Sequence, residues 1–526
     1  MRSLRSWALA LVASVSLSFH ASVLFAQSTD DDLRNEIRQL REKLEQLEKK
    51  LEQKSEPAAP QAVAPTTGPA ADAGAREQAL QQKVDDLDQQ VRILGRKQEL
   101  DAEEKAAEKK ERVATTSNER GISLKSADGR YDIRLRGVVQ ADGRFFLGDS
   151  IGTDTFLLRK VRPTIEGTFA EIYDFRIMPD FGGGKAVVQE AYAAARLKPW
   201  AKVTVGKMKQ PIGLERLQLD ADTRLVERAF PTDIAPNRDI GVDLHGDLYD
   251  GLFEYDAGIF NGSLDGGSSE AFTNEQDNNS DKEWTARIFA RPFRNTPSLL
   301  QGLGLGIAVS YADAGGSSPA TGTATAQQTN LPSYVTPAQL TFFSYRTAGP
   351  SATFSNGERL RWSPQAYWYY RSFGLMAEYI AVEQDVARTI SPASTRKSRL
   401  TNSAWQAQLS YMLTGEDETF GGIRPLRAFE LGKDGWGAFE VVGRYSVLKI
   451  DSAAFDGGSN SYADITTSAR SAKEWSAGLN WYLNWNVKLQ FDYSRTRFDG
   501  GGGGTAAAPI DRPDEQLIFG RVQLAF

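Results

Sequence analysis

From Arg130 onward the sequence breaks into short segments whose side-chain character alternates residue by residue. A period of two belongs to strands, because successive side chains point to opposite faces. Trp284, Ala286, Ile288 and Ala290 fall on one face of their segment, with Thr285, Arg287, Phe289 and Arg291 on the other. Trp405, Ala407, Leu409, Tyr411 and Leu413 oppose Gln406, Gln408 and Ser410, and Trp475, Ala477, Leu479 and Trp481 oppose Ser476, Gly478 and Asn480. About sixteen such segments can be counted by this template. They lie near 130–146, 154–169, 172–182, 186–198, 201–208, 239–248, 251–261, 282–294, 301–313, 357–371, 374–386, 402–414, 436–449, 470–483, 486–498 and 515–526.

The gaps between segments carry the topology. Tiny connections such as "AEI", "KPW", "YDG", "RSFG" and "LNWN" alternate with long ones at 209–238, 262–281 and 314–356, and the gap 414–436 breaks the rule. Short turns at one end and long loops at the other belong to up-and-down barrels of outer membranes. Beyond the first 26 residues no apolar run is long enough to cross a bilayer as a helix, so a membrane role must use strands. Closure satisfies every backbone group without an edge. The last segment, "DEQLIFGRVQLAF", is therefore expected to pair with the first near Tyr131 to Phe145, placing Phe526 at the periplasmic rim and Arg521 in the lumen. The expected fold is all-β: a 16-stranded antiparallel transmembrane β-barrel with an N-terminal periplasmic α-helical coiled coil. A barrel of that strand number encloses an aqueous channel.

The N-terminal region reads differently. Residues 1–26, with Arg2 and Arg5 before an apolar run, read as a cleaved export signal. Within 27–55, Leu33, Ile37, Leu40, Leu44, Leu47 and Leu51 make a heptad seam with charged flanks, a coiled coil. A Pro/Ala-rich linker occupies 56–76, and 77–118 forms a second helical segment with a weaker seam at Leu80, Val84, Leu87, Val91 and Leu94; the barrel takes 119–526. The helices are either solvated and amphipathic or a trimerisation stalk, and the regularity of the first seam favours the stalk.

Composition excludes several functions. The chain has no cysteine, so disulfides and thiolate metal sites are out, and no cofactor or metal site is read from it. Lys+Arg is 62 against Asp+Glu 68, which argues against a nucleic-acid partner. No Walker pattern occurs. An outer-membrane enzyme needs a general base, and after the signal only His245 offers an imidazole; its place in "GVDLHGDLY" near a short turn suggests a structural role.

The faces opposite the apolar ones are often basic. Arg134, Arg136, Gln140 and Arg144 share one face, Lys160 and Arg162 another, and Arg176, Arg287, Arg291, Arg444 and Arg521 follow. Arg159 has the parity opposite to Lys160, and the three apolar residues Phe156, Leu157 and Leu158 leave the direction of that stretch open. A midplane charge facing lipid costs about 2–4 kcal/mol, so these cations are expected to face the lumen. A basic wall attracts anions, and guanidinium forks fit phosphate oxygens; the alternative is that the cations pair with lumenal acids as a structural lattice. The gap at 209–238 holds Leu214, Leu217, Leu219, Leu225, Val226 and Phe230, so it packs somewhere, and a loop folded into the lumen would set selectivity.

The blocks "VGKMKQPIGLERL", "LVERAFPTDIAPNRDIGVDLHGDL", "FLLRKVRPTIEGTF", "DFRIMPDFGGG", "YMLTGE" and "GAFEVVGRYS", in order over about residues 120–526, resemble the phosphate-selective porin O and P family. The resemblance implies an outer-membrane homotrimer of sixteen-stranded barrels whose third long loop folds inside. It also implies a basic path to a constriction that binds inorganic phosphate or other small anions. By position Arg134, Arg136, Arg159, Lys160 and Arg162 would be wall residues, and Lys207, Lys209, Arg216, Arg224, Arg228 and Arg238 would belong to the constriction loop or its root. One departure stands out: the loop carries Glu215, Asp220, Asp222, Glu227 and Asp233, with Lys209 as its lysine. A phosphate or polyphosphate channel, a general porin of low selectivity, and a barrel anchor whose coiled coil tethers the outer membrane to a periplasmic or cell-wall partner are the readings carried forward.

Overall fold

The computed structural model describes residues 71–111, 113–119, 121–148, 151–269 and 280–526, with scattered positions between 35 and 49. The chain divides into two compact units, Met1–Arg112 and Val113–Phe526. The expected signal and most of the first heptad seam lie outside the described residues. In the first unit, a helix runs from Ala71 to Glu111, so it begins inside the expected linker. It is long, but no described helix is long and apolar enough to cross a membrane. The helix was expected to reach residue 118; instead Ala114–Asn118 forms a strand of the second unit. That stretch, "ATTSN", contains two β-branched threonines and two cap-forming residues, which disfavour a helix interior.

The strands of the second unit, in chain order, are β1 (Ala114–Asn118), β2 (Gly121–Lys125), β3 (Asp132–Leu147), β4 (Thr155–Phe169), β5 (Tyr173–Asp180), β6 (Val187–Lys198), β7 (Ala201–Lys209), β8 (Arg238–Leu248), β9 (Phe253–Phe260), β10 (Glu283–Ala290), β11 (Leu303–Gly315), β12 (Ser333–Val335), β13 (Thr341–Ser344), β14 (Thr353–Tyr370), β15 (Phe373–Ser391), β16 (Ser394–Met412), β17 (Ala438–Lys449), β18 (Ala469–Tyr482), β19 (Val487–Gly504), β20 (Pro509–Asp511) and β21 (Glu515–Ala525). Sixteen of them close a ring: β3 through β11, β14 through β19, and β21, which returns to β3. Every pairing is antiparallel. At the seam Arg521 lies opposite Asp142, and Gly137 and Phe526 exchange backbone hydrogen bonds of 2.9 and 3.0 Å. The β1–β2 hairpin continues the sheet beyond that point by pairing with β3.

The outer face is apolar. Ile165, Ile177, Val205, Val242, Ile288, Ile307, Leu409, Leu479 and Val522 are all exposed there. Trp405 lies tilted against Tyr445 and Trp475 against Tyr493, with ring centroids 5.5 and 5.2 Å apart. The turn Ala170–Glu171 has φ of 47° and 70°, the two consecutive positive values of a tight hairpin whose twist matches its strands. Two connections depart most from the alternation of short and long. β15 and β16 meet at once at the long-loop end, and each is 19 residues long, so this hairpin extends the wall rather than adding a loop. The connection between β17 and its predecessor β16, at the short-turn end, is long and turns inward, as described next.

The parity question in β4 is settled by a bulge. Gln140 of β3 pairs with Lys160 while Ala141 pairs with Leu158, so Arg159 is an extra residue. A bulge reverses the facing of everything beyond it. Phe156 and Leu158 thereby stay outside, while Arg159, Lys160 and Arg162 all reach lumenal acids.

Candidate functional site

The segment between β7 and β8 folds into the lumen. Ile212, Leu214, Leu225, Ala229, Phe230, Ile234 and Ala235 are buried there. Its backbone is fastened to the far wall: Leu214 N donates to Glu378 Oε2 at 2.5 Å, Val226 N to Asp492 Oδ2 at 2.5 Å, and Phe230 N to Ser446 Oγ at 3.2 Å. On the near wall, Gln140 Nε2 donates to the Asp220 carbonyl at 3.1 Å. Apolar anchors and a backbone satisfied by wall side chains are what allow an irregular segment to sit at membrane depth.

Two cavities flank this segment. One, of about 580 Å³, opens toward the short-turn end and is lined by residues including Arg136, Arg176, Glu190, Lys209, His245 and Lys488. The other, of about 480 Å³, opens toward the long-loop end past Arg159, Lys160, Arg216, Glu227 and Arg228. Arg162, Asp220 and Arg238 line both, so the narrowing between the cavities lies at these three residues.

Asp220 is the hub of that narrowing. Within 4.0 Å of its carboxylate stand Lys160 at 2.5 Å, Arg228 at 2.7 Å, Arg238 at 3.9 Å, and Arg162. Burial alone would raise its pKa, but Arg162 and Lys160, then Arg228 and Arg238, outweigh burial and hold it well below the usual range. The network runs on along the wall. Arg162 also holds Asp180 at 2.7 Å, Arg238 holds Glu190 at 2.9 Å, Arg176 bridges Glu190 and Glu166 at 3.0 and 3.3 Å, and Arg136 meets Glu166 at 3.1 Å. Six cations are thus linked to four carboxylates, leaving a positive surplus.

A second cluster sits toward the long-loop end. Glu227 takes Arg159 at 2.6 Å, Arg144 at 2.9 Å and Arg521 at 3.9 Å, and Arg521 grips Asp142 through two hydrogen bonds of 2.6 and 2.7 Å. Three cations face two carboxylates. Burial would lift Glu227, but Arg159 above all, with Arg144 and Arg521, brings it down to about 2.

The expected site residues divide between these clusters and other places. Arg136, Arg159, Lys160, Arg162, Arg176, Arg216, Lys209, Arg228 and Arg238 line a cavity. Arg216 donates to the Thr232 carbonyl while its Nε has no hydrogen-bond partner among the described residues, and Lys209 donates to the Gln218 carbonyl at 2.7 Å. Arg134, expected in the lumenal set, is instead exposed where β2 pairs with β3, held by Asp132 at 2.6 Å. Arg287 and Arg291 line neither cavity and are bound to Asp256 and Glu254. Arg521 is locked to its neighbouring strand, and Lys207 is buried on β7 outside both cavities.

Arg224, expected in the constriction loop or its root, lies on the inward-folded segment but lines neither cavity and is 2% exposed. It bonds Glu418 at 3.0 Å, Glu440 at 2.9 Å and the Thr419 and Gly421 carbonyls. Residues 416–423 belong to the long β16–β17 connection, which therefore enters the lumen from the short-turn end. Phe420 stacks on Tyr367 there, and its carbonyl accepts from Gln218. In the sequence this gap stands out only by its length.

A closed ring of sixteen strands, apolar outside and charged inside, with an inward-folded segment narrowing a solvent-lined lumen, defines an outer-membrane porin channel. A family model described as phosphate-selective porin O and P matches residues 133–526. The chain belongs to that family. It is 21% identical to Porin O of Pseudomonas aeruginosa over 420 residues, which cover 72% of this chain and 86% of that protein. Among solved structures, OmpT, an outer membrane protein of Vibrio cholerae, is 10% identical, covering 76% of this chain and 98% of its own at a TM-score of 0.44. The outer membrane channel DcaP of Acinetobacter baumannii is likewise 10% identical, covering 79% of this chain and 100% of its own at 0.44.

Proposed function

We propose that this porin is an anion-selective diffusion channel, with inorganic phosphate or polyphosphate as the preferred solute. The observation that carries the reading is the junction of the two cavities. Arg162 and Arg238 line both, Lys160 and Arg228 stand beside them, and the connected ion pairs hold more cations than carboxylates. A dianion entering there can exchange with Asp220 for cations already placed around an oxyanion. Charge-assisted bonds to phosphate oxygens then offset its dehydration. The family's description and the Porin O relative support the same solute class.

The long-loop end is read as extracellular and the short-turn end as periplasmic, the arrangement usual for such barrels. The helix Ala71–Glu111 and the heptad seam before it are read as a periplasmic stalk of a homotrimer. A second reading has its own support. Both Asp220 and Glu227 are tied up by wall cations, which makes the constriction less basic than a lysine-rich one and favours a broader anion pore of low selectivity.

Planar-bilayer recordings of the full-length protein decide between them. The reversal potential in a KCl gradient should have the sign of anion preference; cation preference ends the anion reading. Millimolar phosphate should block chloride current; conductance indifferent to phosphate leaves only the broad anion pore. Removing residues 27–115 should leave conductance in place if the barrel is a pore rather than an anchor.

A further inference from the structure

The wall between β7 and β10 has a chemistry unlike the basic stretch beside it. On β8, Val242 and Leu244 are exposed on the outer face, so Asp243 and His245 turn inward. On β9, Asp256 lies directly opposite His245. Asp243, His245 and Asp256 line the same cavity, and each offers one ligand atom within 4.8 Å of the others.

Of the neighbouring cations, Lys202 is engaged elsewhere, while Arg287 reaches one oxygen of Asp256. Lys202, opposite His245 on β7, bonds Asp174 at 3.1 Å. Arg287, opposite Asp256 on β10, meets Asp256 through Oδ2 at 3.4 Å and donates to Gln365 at 3.1 Å. Arg291 pairs with Glu254. Asp243 is left over. It is 6% exposed, and its Oδ1 has no hydrogen-bond partner among the described residues. A buried carboxylate oxygen without a partner is expensive, so its retention asks for a ligand. The space beside it is kept open by Gly258, its register partner, where a Cβ would come within 2.9 Å of that oxygen. His245 is oriented from the other side, with Nε2 3.1 Å from Thr204 Oγ1.

One imidazole nitrogen with two carboxylate oxygens, open to water, is a donor set for divalent first-row transition metals rather than for magnesium or calcium, which prefer oxygen alone. We propose that Asp243, His245 and Asp256 form a binding site for such an ion, of the zinc or manganese class, in the lumen wall. Asp243 and Asp256 supply the negative charge, His245 supplies the selectivity for a softer ion, Thr204 fixes its ring, and cavity water completes the shell. The absence of cysteine excludes only thiolate metal sites; the spacing from Asp243 through His245 to Asp256 becomes a cluster only when β8 and β9 pair. This site is independent of which solute the channel passes.

The test is manganese titration of the full-length protein in detergent, followed by electron paramagnetic resonance. Saturable binding of one Mn²⁺ per chain, displaced by Zn²⁺ and not by equimolar Ca²⁺, is expected. The bound signal should show imidazole-type nitrogen hyperfine coupling, for which the chain offers His245 and, in the expected export signal, His20. His245→Gln and Asp243→Asn should each weaken binding at least tenfold, while Asp247→Asn, an acid of the same strand, changes it less than twofold. The nitrogen coupling is measured on the unaltered protein, so it stands even where a variant does not assemble. Absence of saturable binding below 1 mM, absence of nitrogen coupling, or equal loss in Asp247→Asn and His245→Gln overturns the proposal.

Discussion

The two walls of the lumen do different work. Along β3 to β8, inward side chains are cations and acids that face the two cavities, and their partners include the hub residue Asp220. Along β14 to β19, inward side chains are closed over by the chain itself. Tyr334, Phe342, Phe343 and Tyr345 from the β11–β14 connection pack on Ile380, Val382, Leu400, Leu448 and Phe498 of that wall. Arg224 clamps the inward segment to Glu418 and Glu440 below them. A barrel of this strand number encloses a wide bore, and packed aromatic and aliphatic side chains fill part of it beside the charged cavities.

That division can be broken by experiment. Phe343→Ala removes a fully buried ring from the filled wall and should lower stability by about 3–5 kcal/mol. A melting curve measures the loss, while single-channel selectivity should hold; a change of ion preference with unchanged melting would erase the contrast. Arg224→Met should cost a similar amount, about 3–5 kcal/mol, because Glu418 and Glu440 lose the cation that compensates their burial. Denaturant unfolding reads this, and a variant as stable as the parent would show that the clamp is dispensable.

Acid provides the third test. The Glu227 pKa is lowered from 4.5 to about 2, so its ionised form is favoured by folding. The contribution is full above the unfolded value and is lost as pH falls from about 4.5 through 2, amounting to about 3 kcal/mol by linkage. Glu227→Gln should flatten the acid limb of the melting profile in that window. On the inward-folded segment, Asp220→Asn takes the carboxylate from among four cations. Tighter phosphate block of chloride current by about tenfold, or about 1.4 kcal/mol, is expected; weaker block would mean that the carboxylate helps the solute instead of competing with it. Smallest of all, Arg136→Gln at the half-exposed end of the ion-pair network should shift stability by less than about 1 kcal/mol while reducing anion preference.

The barrel was legible because lipid and water face opposite sides of each strand, so alternation survives in the sequence. The same alternation puts Lys160 and Arg162 on one face, and both line a cavity. The partners of the cations were not legible: Arg224 finds Glu418 194 positions away, and no local period records that. The bulge at Arg159 was hidden because Phe156, Leu157 and Leu158 are apolar on both parities. The filling of the far wall was hidden too, since inward Ile380 and Val382 resemble any lipid-facing pair until Tyr334 and Phe343 are seen against them.

The seam between β3 and β21 has a consequence for biogenesis. Arg521 and Asp142 meet across 379 positions of chain, more than almost any contact a soluble domain of modest size must make. Loops that long close slowly. Until β21 and β3 meet, both present an unpaired strand edge, a template for pairing with other chains, so closing the ring also removes an aggregation hazard.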